Sequence, residues 1–366
     1  MNLYYLANIR FPNEKAHGIQ VREMCNALAT FASVTLIVST RKTQGEPYAF
    51  RLDPQVHVVR IFTPNTAHLG RFGFFLAAFF FATGSGLYLL THKKDTYVLT
   101  REYFCAAVSA LCARRTAWES HRGEWNWLIR FALCSGVSVI AISRGLRNFY
   151  ISKGVPTEKI FVAPDGVDLS RYRDLPSREE ARQRVGLPLD KTIAIYNGHL
   201  HTWKGVETLA QAARLLPESF EVIFMGGMDH DIAAFKGKYG EDPRIVIIGR
   251  KPDEERPLYL RAANVAVIPN TATEEISATY TSPLKLFGYM AAGVPIVASD
   301  LPSLREVLTE KNAFFARPDD ASSLAQTIIE ASNAKDADMR AETARKDAAQ
   351  YGWKNRASAI LSFMKV

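Results

Sequence analysis

Short apolar runs alternate with amphipathic segments along the whole chain. Leu3–Ala7 is apolar and precedes a loop and a helix expected from about Ile19 to Phe31. Val34–Ser39, His57–Phe62, Tyr97–Thr100 and Val137–Ser143 read as further strands. Runs this short, interleaved with helical segments, predict strands buried on both faces of a parallel sheet. The polar segment Arg171–Asp190, with Pro176 and Pro188, then interrupts the series and reads as a joint. A second series follows, with strands at Thr192–Gly198, Glu221–Gly226, Arg244–Gly249, Val265–Pro269 and Pro295–Ser299 and a helix at Gly205–Leu216. Near the end, Ala357, Ile360, Leu361 and Met364 recur at helical spacing, which predicts an amphipathic helix over 353–366. The pattern predicts an α/β chain with a first domain over 1–170, a second over 171–352, and a terminal helix packed back on the first. A length of 366 residues suffices for two such cores.

One segment departs from the alternation. Gly73–Thr91 carries no charge and concentrates Phe74, Phe75, Phe79, Phe80 and Phe81. Its length approaches a membrane span, but Gly84, Ser85 and Gly86 break the apolar run. A lobe-packing helix, a membrane-surface contact and a true span are the three readings. Met1–Asn8 lacks the basic start and apolar length of a leader peptide and reads as a first strand.

The net charge of +8 lies entirely in the first half. Residues 1–170 hold 19 Lys and Arg against 11 Asp and Glu, and residues 171–366 hold 26 against 26. A basic half beside a neutral one suggests that the first domain meets something anionic, such as lipid or an anionic acceptor. The basic residues form no runs and no nucleic-acid module is evident, so nucleic acid is not expected as a partner. Cys25, Cys105, Cys112 and Cys134 are scattered in apolar stretches without metal-ligand spacing. They read as buried, reduced thiols of a cytoplasmic protein.

The candidate chemistry lies in loops between strands and helices. In Ser282-Pro283-Leu284-Lys285, Ser282 suits an N-cap and Pro283 a first helical residue, with Gly293 just past the helix end. A helix N-terminus offers free N–H groups and a positive dipole end to an anion. Lys285 in the first turn opposes that dipole and is better tolerated beside a phosphate. The same pattern fits an ordinary capped helix with a solvated lysine. Gly198-His199-Leu-His-Thr-Trp-Lys204-Gly205 follows a strand and opens a helix, where α/β folds bind phosphates. Lys204 and His199 are the groups to meet an anion there, against a plain turn with a surface lysine. The loop Asn8–Gly18 lacks GxGxxG, so a nicotinamide site is poorly supported. Gly18 would allow close backbone approach, although a plain surface loop explains it equally. His121 is a lone histidine in Trp118-Glu-Ser-His121, and such residues are more often structural than catalytic.

These residues together resemble glycosyltransferase family 4, of GT-B architecture. The landmarks are Pro12–Gly18, Ile142-Ser143, Pro164-Asp-Gly-Val-Asp168, Gly198-His-Leu, Lys204-Gly205, Pro269 and Ser282–Asp300, in that order. The resemblance implies two Rossmann-like lobes with a central cleft, a UDP- or GDP-linked sugar on the second lobe, and a sugar or lipid-linked acceptor on the first. It implies transfer with retention, no metal ion, no bound cofactor, and a role in envelope polysaccharide or glycolipid synthesis. Lys204 matches the family's diphosphate lysine, Gly18 a glycine near the donor phosphates, and His121 a histidine at the donor sugar. Gly249, Arg250 and Lys251, in the loop reaching Pro252, match the base-contacting loop. Asp229-His-Asp231 has the Asp-x-Asp form of metal-dependent sugar transferases, but pairs of acidic residues arise often by chance.

Two positions depart from the family. His199 stands where a phosphate-binding arginine is usual. Tyr280 and Gly288 stand at the two glutamates of Glu-x7-Glu, the second of which holds the ribose. Losing a charged acceptor there is worth roughly 1.5–3 kcal/mol of nucleotide affinity, with Glu274 or Glu275 as conceivable substitutes. Two further readings follow: a catalytically degenerate partner subunit, and a nucleotide-sugar epimerase of the same architecture.

Overall fold

The computed structural model describes residues 1–13, 15–41, 51–92 and 96–365. Glu14 of the Pro12–Gly18 landmark and Val366 of the expected terminal helix lie outside them. Contacts divide the chain into two units, Met1–Asp165 with Trp353–Val366, and Gly166–Gly352.

In the first unit, the described strands are β1 (Asn2–Ala7), β2 (Ser33–Ser39), β3 (His57–Ile61), β4 (Thr96–Thr100), β5 (Arg115–Ser120), β6 (Ser138–Ala141) and β7 (Ile160–Val162). Their order is β3-β2-β1-β4-β5-β6-β7, and the pairings are parallel. Leu6 of β1 stands between Ile37 of β2 and Thr100 of β4. After Asn2, β1 is wholly buried, as a strand covered on both faces must be. The helices are α1 (Ala16–Ala29), α2 (Gly70–Leu90), α3 (Tyr103–Cys112), α4 (Trp127–Cys134) and α5 (Arg144–Ser152).

The helix α2 runs straight through Gly84-Ser85-Gly86. Those glycines are close-packing positions: an added Cβ would lie 2.6 Å from Ile61 Cγ2 at Gly84, and 2.4 Å from Val108 Cγ1 at Gly86. One face of α2, with Ala78, Phe81, Ala82 and Leu89, is buried on the sheet. The other exposes Phe72, Phe74, Phe75, Phe79, Phe80 and Leu87. By length and composition it is long and apolar enough to cross a membrane, and less than half of its apolar window is buried.

The second unit repeats the plan. It contains α6 (Arg178–Val185), β8 (Thr192–Asn197), α7 (Val206–Ala213), β9 (Phe220–Met225), α8 (Asp229–Tyr239) and β10 (Ile245–Gly249). It continues with α9 (Arg256–Ala262), β11 (Val265–Ile268), α10 (Leu284–Ala292), β12 (Ile296–Ser299), α11 (Pro302–Arg305), β13 (Phe314–Ala316), α12 (Ala321–Asn333) and α13 (Ala337–Asp347). Its order, β10-β9-β8-β11-β12-β13, is again the doubly wound one. The strand order reverses between β8 and β11, which opens a crevice at their carboxyl ends.

The segment read as a joint belongs to the second unit. Its helix α6 is polar because a guanidinium anchors it in place of an apolar stripe. Buried Arg182 donates to Ala262 O at 2.9 Å and Asn264 Oδ1 at 2.6 Å. A capping box between Ser177 and Glu180 starts the helix. The last helix, α14 (Trp353–Lys365), packs in the first unit against α1. Cys25 and Cys105 are buried thiols, whereas Cys112 is half-buried and Cys134, at the end of α4, is exposed.

Candidate functional site

The crevice between β8 and β11 is built by glycines and a tyrosine. Asn197 at the end of β8 donates its N–H to Tyr289 Oη at 2.7 Å, which ties α10 to the strand end. Gly198 has φ +155°, and a Cβ there would lie 3.0 Å from Tyr196 Oη and 3.4 Å from Lys285 Nζ. Gly205 has φ +71°, and its Cβ would overlap Pro269 O at 1.6 Å. Only glycine fits that position, so the 198–205 loop sits directly on the end of β11. Lys204, one residue earlier, is thereby delivered to the crevice.

Lys285 comes from the opposite side. Its Nζ lies 3.9 Å from the Tyr196 ring centroid. It is buried and has no hydrogen-bond partner among the described residues. Burial, reinforced by the ammonium of Lys204, pushes its pKa well below the usual lysine value. Burial brings Lys204 down to about 8. Its Nζ lies 4.3 Å from the Trp203 ring centroid. A desolvated cation without an acceptor is costly, and a second cation beside it raises the cost. An anion bound between the two would remove both penalties.

The helix end differs from expectation by one residue. Pro283 is extended, with φ −77° and ψ 123°, and α10 begins at Leu284. Ser282 is therefore one position before the N-cap, which is Pro283. The N–H groups at this end are those of Leu284 and Lys285, since Pro283 has none. Gly293 ends the helix in the left-handed conformation as expected, φ 60° and ψ 47°.

Gly288 lies on the buried side of α10, and a Cβ there would come 3.0 Å from Tyr172 Oη. The Tyr172 hydroxyl, raised to about 12 by burial, thus fills the space next to the glycine. Tyr280 spends its hydroxyl as a donor to Glu275, and both Glu274 and Glu275 are exposed. Gly249 ends β10 at φ +66°, Arg250 is exposed, and Lys251 Nζ lies 5.4 Å from the Tyr259 ring centroid. These residues, with Gly198, His199, Lys204 and Lys285, belong to the second unit.

Gly18 and His121 belong to the first unit. Gly18 lies in the first turn of α1, and the space its missing Cβ leaves is taken by Asn13 O at 2.3 Å. The loop folds back on itself there. His121 Nε2 lies 2.7 Å from Glu119 Oε1. Burial and Arg101 lower the His121 pKa, while the bond to Glu119 opposes the drop. Burial works to raise the Glu119 carboxyl, but Arg356 and His121 overcome it and hold it well below the carboxylate range. Arg356 of α14 donates to Glu119 Oε2 at 3.0 Å and Pro164 O at 2.8 Å. Gln20 donates to Glu119 and, at 3.0 Å, to Asp165 Oδ1. His121 therefore stands at the rim of a buried charged network. Glu119, Arg356, Tyr172 and Tyr196 were not legible as site residues, because each depends on a partner distant in sequence.

Residues 191–333 match the family described as glycosyl transferases group 1. A curated relative, "Putative teichuronic acid biosynthesis glycosyltransferase TuaC" of Bacillus subtilis, is 29% identical over 199 residues, 54% of this chain and 47% of the relative. The chain spans about half the length of the curated relatives it matches. Sucrose-phosphate synthase from Thermosynechococcus elongatus superimposes with a TM-score of 0.80 at 19% identity, over 100% of this chain and 98% of that one. Anabaena HepE in complex with UDP-glucose gives 0.73 at 17% identity, over 99% of each. The fold is that of the GT-B proteins, two Rossmann-like lobes with parallel sheets.

Proposed function

We propose that this chain, of which residues 191–333 match the glycosyl transferases group 1, moves a sugar from a nucleotide-sugar donor to an acceptor hydroxyl. The observation that carries the reading is the Lys285 ammonium, buried without an acceptor and set beside a second depressed lysine, Lys204. A donor diphosphate supplies the missing anion. Lys204, Lys285 and the N–H groups of Leu284 and Lys285 then stand ready for the charge that develops on the leaving nucleoside diphosphate. His199 follows Gly198 on the same loop, and Gly249–Lys251 is the base-side loop. HepE is a structural neighbour described with UDP-glucose, which supports a uridine donor.

Transfer proceeds in this reading with retention and without a metal ion or cofactor in the chemical step. Gly18 and His121 serve the first unit's side of the reaction, with His121 neutral at pH 7 because its pKa is lowered. The acceptor is a sugar or lipid-linked hydroxyl of an envelope polysaccharide or glycolipid, by likeness to TuaC. The exposed phenylalanine face of α2, on the unit that holds the whole basic excess, is the side that would rest on a membrane surface at the cytoplasmic face. Calorimetry with UDP and GDP, followed by turnover with a donor panel and NMR of the product anomer, tests the reading. No nucleotide binding and no turnover across the panel would overturn it.

One observation favours a second reading. Tyr172 occupies the space where a ribose-binding side chain on α10 would emerge from position 288. A donor site held at its phosphate end but altered at its ribose end fits a degenerate partner subunit. Such a subunit binds nucleotide weakly and transfers nothing. An epimerase would instead convert donor without acceptor.

A further inference from the structure

A second cluster is formed by the 198–205 loop and the first turn of α8. His199, His201 and Asp231 each present one ligand atom, and the three atoms lie within 4.8 Å of one another. The imidazoles are stacked, with centroids 5.3 Å apart and planes 14° from parallel. Asp231 Oδ2 is buried and has no hydrogen-bond partner among the described residues. Its Oδ1 lies 3.1 Å from Nε2 of the exposed His230.

The scaffold beneath the cluster is fixed by close backbone approach. Gly226 lies against Gly198, where a Cβ would come 2.5 Å from Gly198 O. Gly198 N–H donates to Met225 O at 2.9 Å. At Gly227 a Cβ would meet Ile232 Cγ1 at 2.9 Å and Leu200 Cδ1 at 3.1 Å. Leu200 lies between the two histidines in sequence, and Ile232 follows Asp231. The residues flanking all three ligands are thus packed on one point, and the ligand groups are brought together before any ion arrives.

We propose that His199, His201 and Asp231 form a binding site for a divalent transition-metal ion of the zinc, cobalt or nickel class. Two imidazoles and one carboxylate are the donor set these ions prefer over magnesium or calcium. Donors about 2.0–2.2 Å from a tetrahedral zinc stand roughly 3.3 Å apart, so side-chain rotation that draws the atoms together by at most about 1.5 Å closes the set. The unpartnered Asp231 Oδ2 gains a cation, and the ion clips the 198–205 loop to α8. Three protein ligands leave one position open to water. Metal binding here does not depend on the transfer activity, although His199 is shared with the 198–205 loop of the proposed donor site.

The test is titration of the full chain, freed of any purification tag, with Co²⁺ followed by visible absorption and with Zn²⁺ followed by calorimetry. The expected result is one ion per chain with cobalt bands of low coordination number. His201→Ala and Asp231→Asn should each weaken binding at least about tenfold, while His57→Ala on the first unit leaves it unchanged. Saturating Zn²⁺ should raise the melting temperature of the parent protein and not that of the two variants. Circular dichroism confirms that the variants fold. Absence of stoichiometric binding, or binding undiminished in both folded variants, overturns the proposal.

Discussion

Lys285 Nζ sits 3.9 Å from the centre of the Tyr196 ring with no hydrogen-bond acceptor among the described residues. Its pKa is pushed far down by burial and by Lys204, which itself falls to about 8. Both lysines lose their protons at lower pH in the free protein than in an exposed chain, and a bound diphosphate restores them. Nucleotide binding therefore takes up protons, that of Lys204 at pH above about 8, and affinity falls as pH rises. The slope approaches about tenfold per pH unit for each proton taken up. Calorimetry in two buffers of different ionisation enthalpy at pH 8.5 measures the uptake, and a pH-independent enthalpy and affinity would count against it.

The same residue separates stability from binding. Lys285→Met replaces a buried unpaired cation by an apolar chain of similar length. The free protein should gain about 1–3 kcal/mol, read as a higher denaturant midpoint. Nucleotide affinity should fall by about tenfold or more. A variant that loses stability would show that the ammonium has a structural partner.

Gly288 and Tyr172 predict a steric outcome. Gly288→Ala puts a methyl 3.0 Å from Tyr172 Oη, which cancels the helix gain of about 0.5–1 kcal/mol. With Tyr172→Phe added, the hydroxyl is gone and the alanine should be neutral or stabilising. Gly288→Glu alone should not raise nucleotide affinity, since the side chain meets Tyr172 first. Thermal melts and nucleotide titrations of the three variants check both statements.

Arg356→Met removes the guanidinium that holds Glu119 ionised inside the first unit. Breaking one partner of a buried pair costs about 3–5 kcal/mol. In the parent protein the depressed Glu119 pKa contributes stability that is present above the unfolded value near 4.5 and is lost as pH falls below it. In the variant the carboxyl is no longer depressed, so this part of the acid sensitivity disappears. Denaturation curves between pH 3 and 7 measure the difference.

The exposed face of α2 predicts vesicle binding. Phe79→Ser with Phe80→Ser removes two exposed rings without touching buried Phe81. Sedimentation with vesicles containing anionic lipid should show binding of the parent protein and several-fold less of the variant. Equal sedimentation would remove the membrane role from this face.

The sheets were legible because most of their strands are short and largely apolar. Leu3–Ala7 and Val265–Pro269 appear within one residue of their observed bounds, Asn2–Ala7 and Val265–Ile268. The elements that escaped are those whose burial is not apolar or whose run is brief. The helix α6 is anchored by Arg182, β5 carries Glu119 in its buried row, and β13 has three residues. At the site, Lys204, Gly205 and Lys285 were legible as candidates because they sit in strand-to-helix turns where α/β folds bind phosphates, although a surface lysine fits the same pattern. Ser282 misled because capping depends on the ψ of Pro283, which composition does not set. Tyr172 and Tyr196 carry no local signal, because the fold alone sets the Tyr172 hydroxyl beside Gly288.

The most direct test of the central claim is UDP titration of the parent protein against Lys285→Met and Lys204→Met, with both variants confirmed folded. The account predicts measurable binding by the parent and at least about tenfold weaker binding by each variant. Equal affinity in all three proteins would contradict a donor diphosphate held between the two lysines.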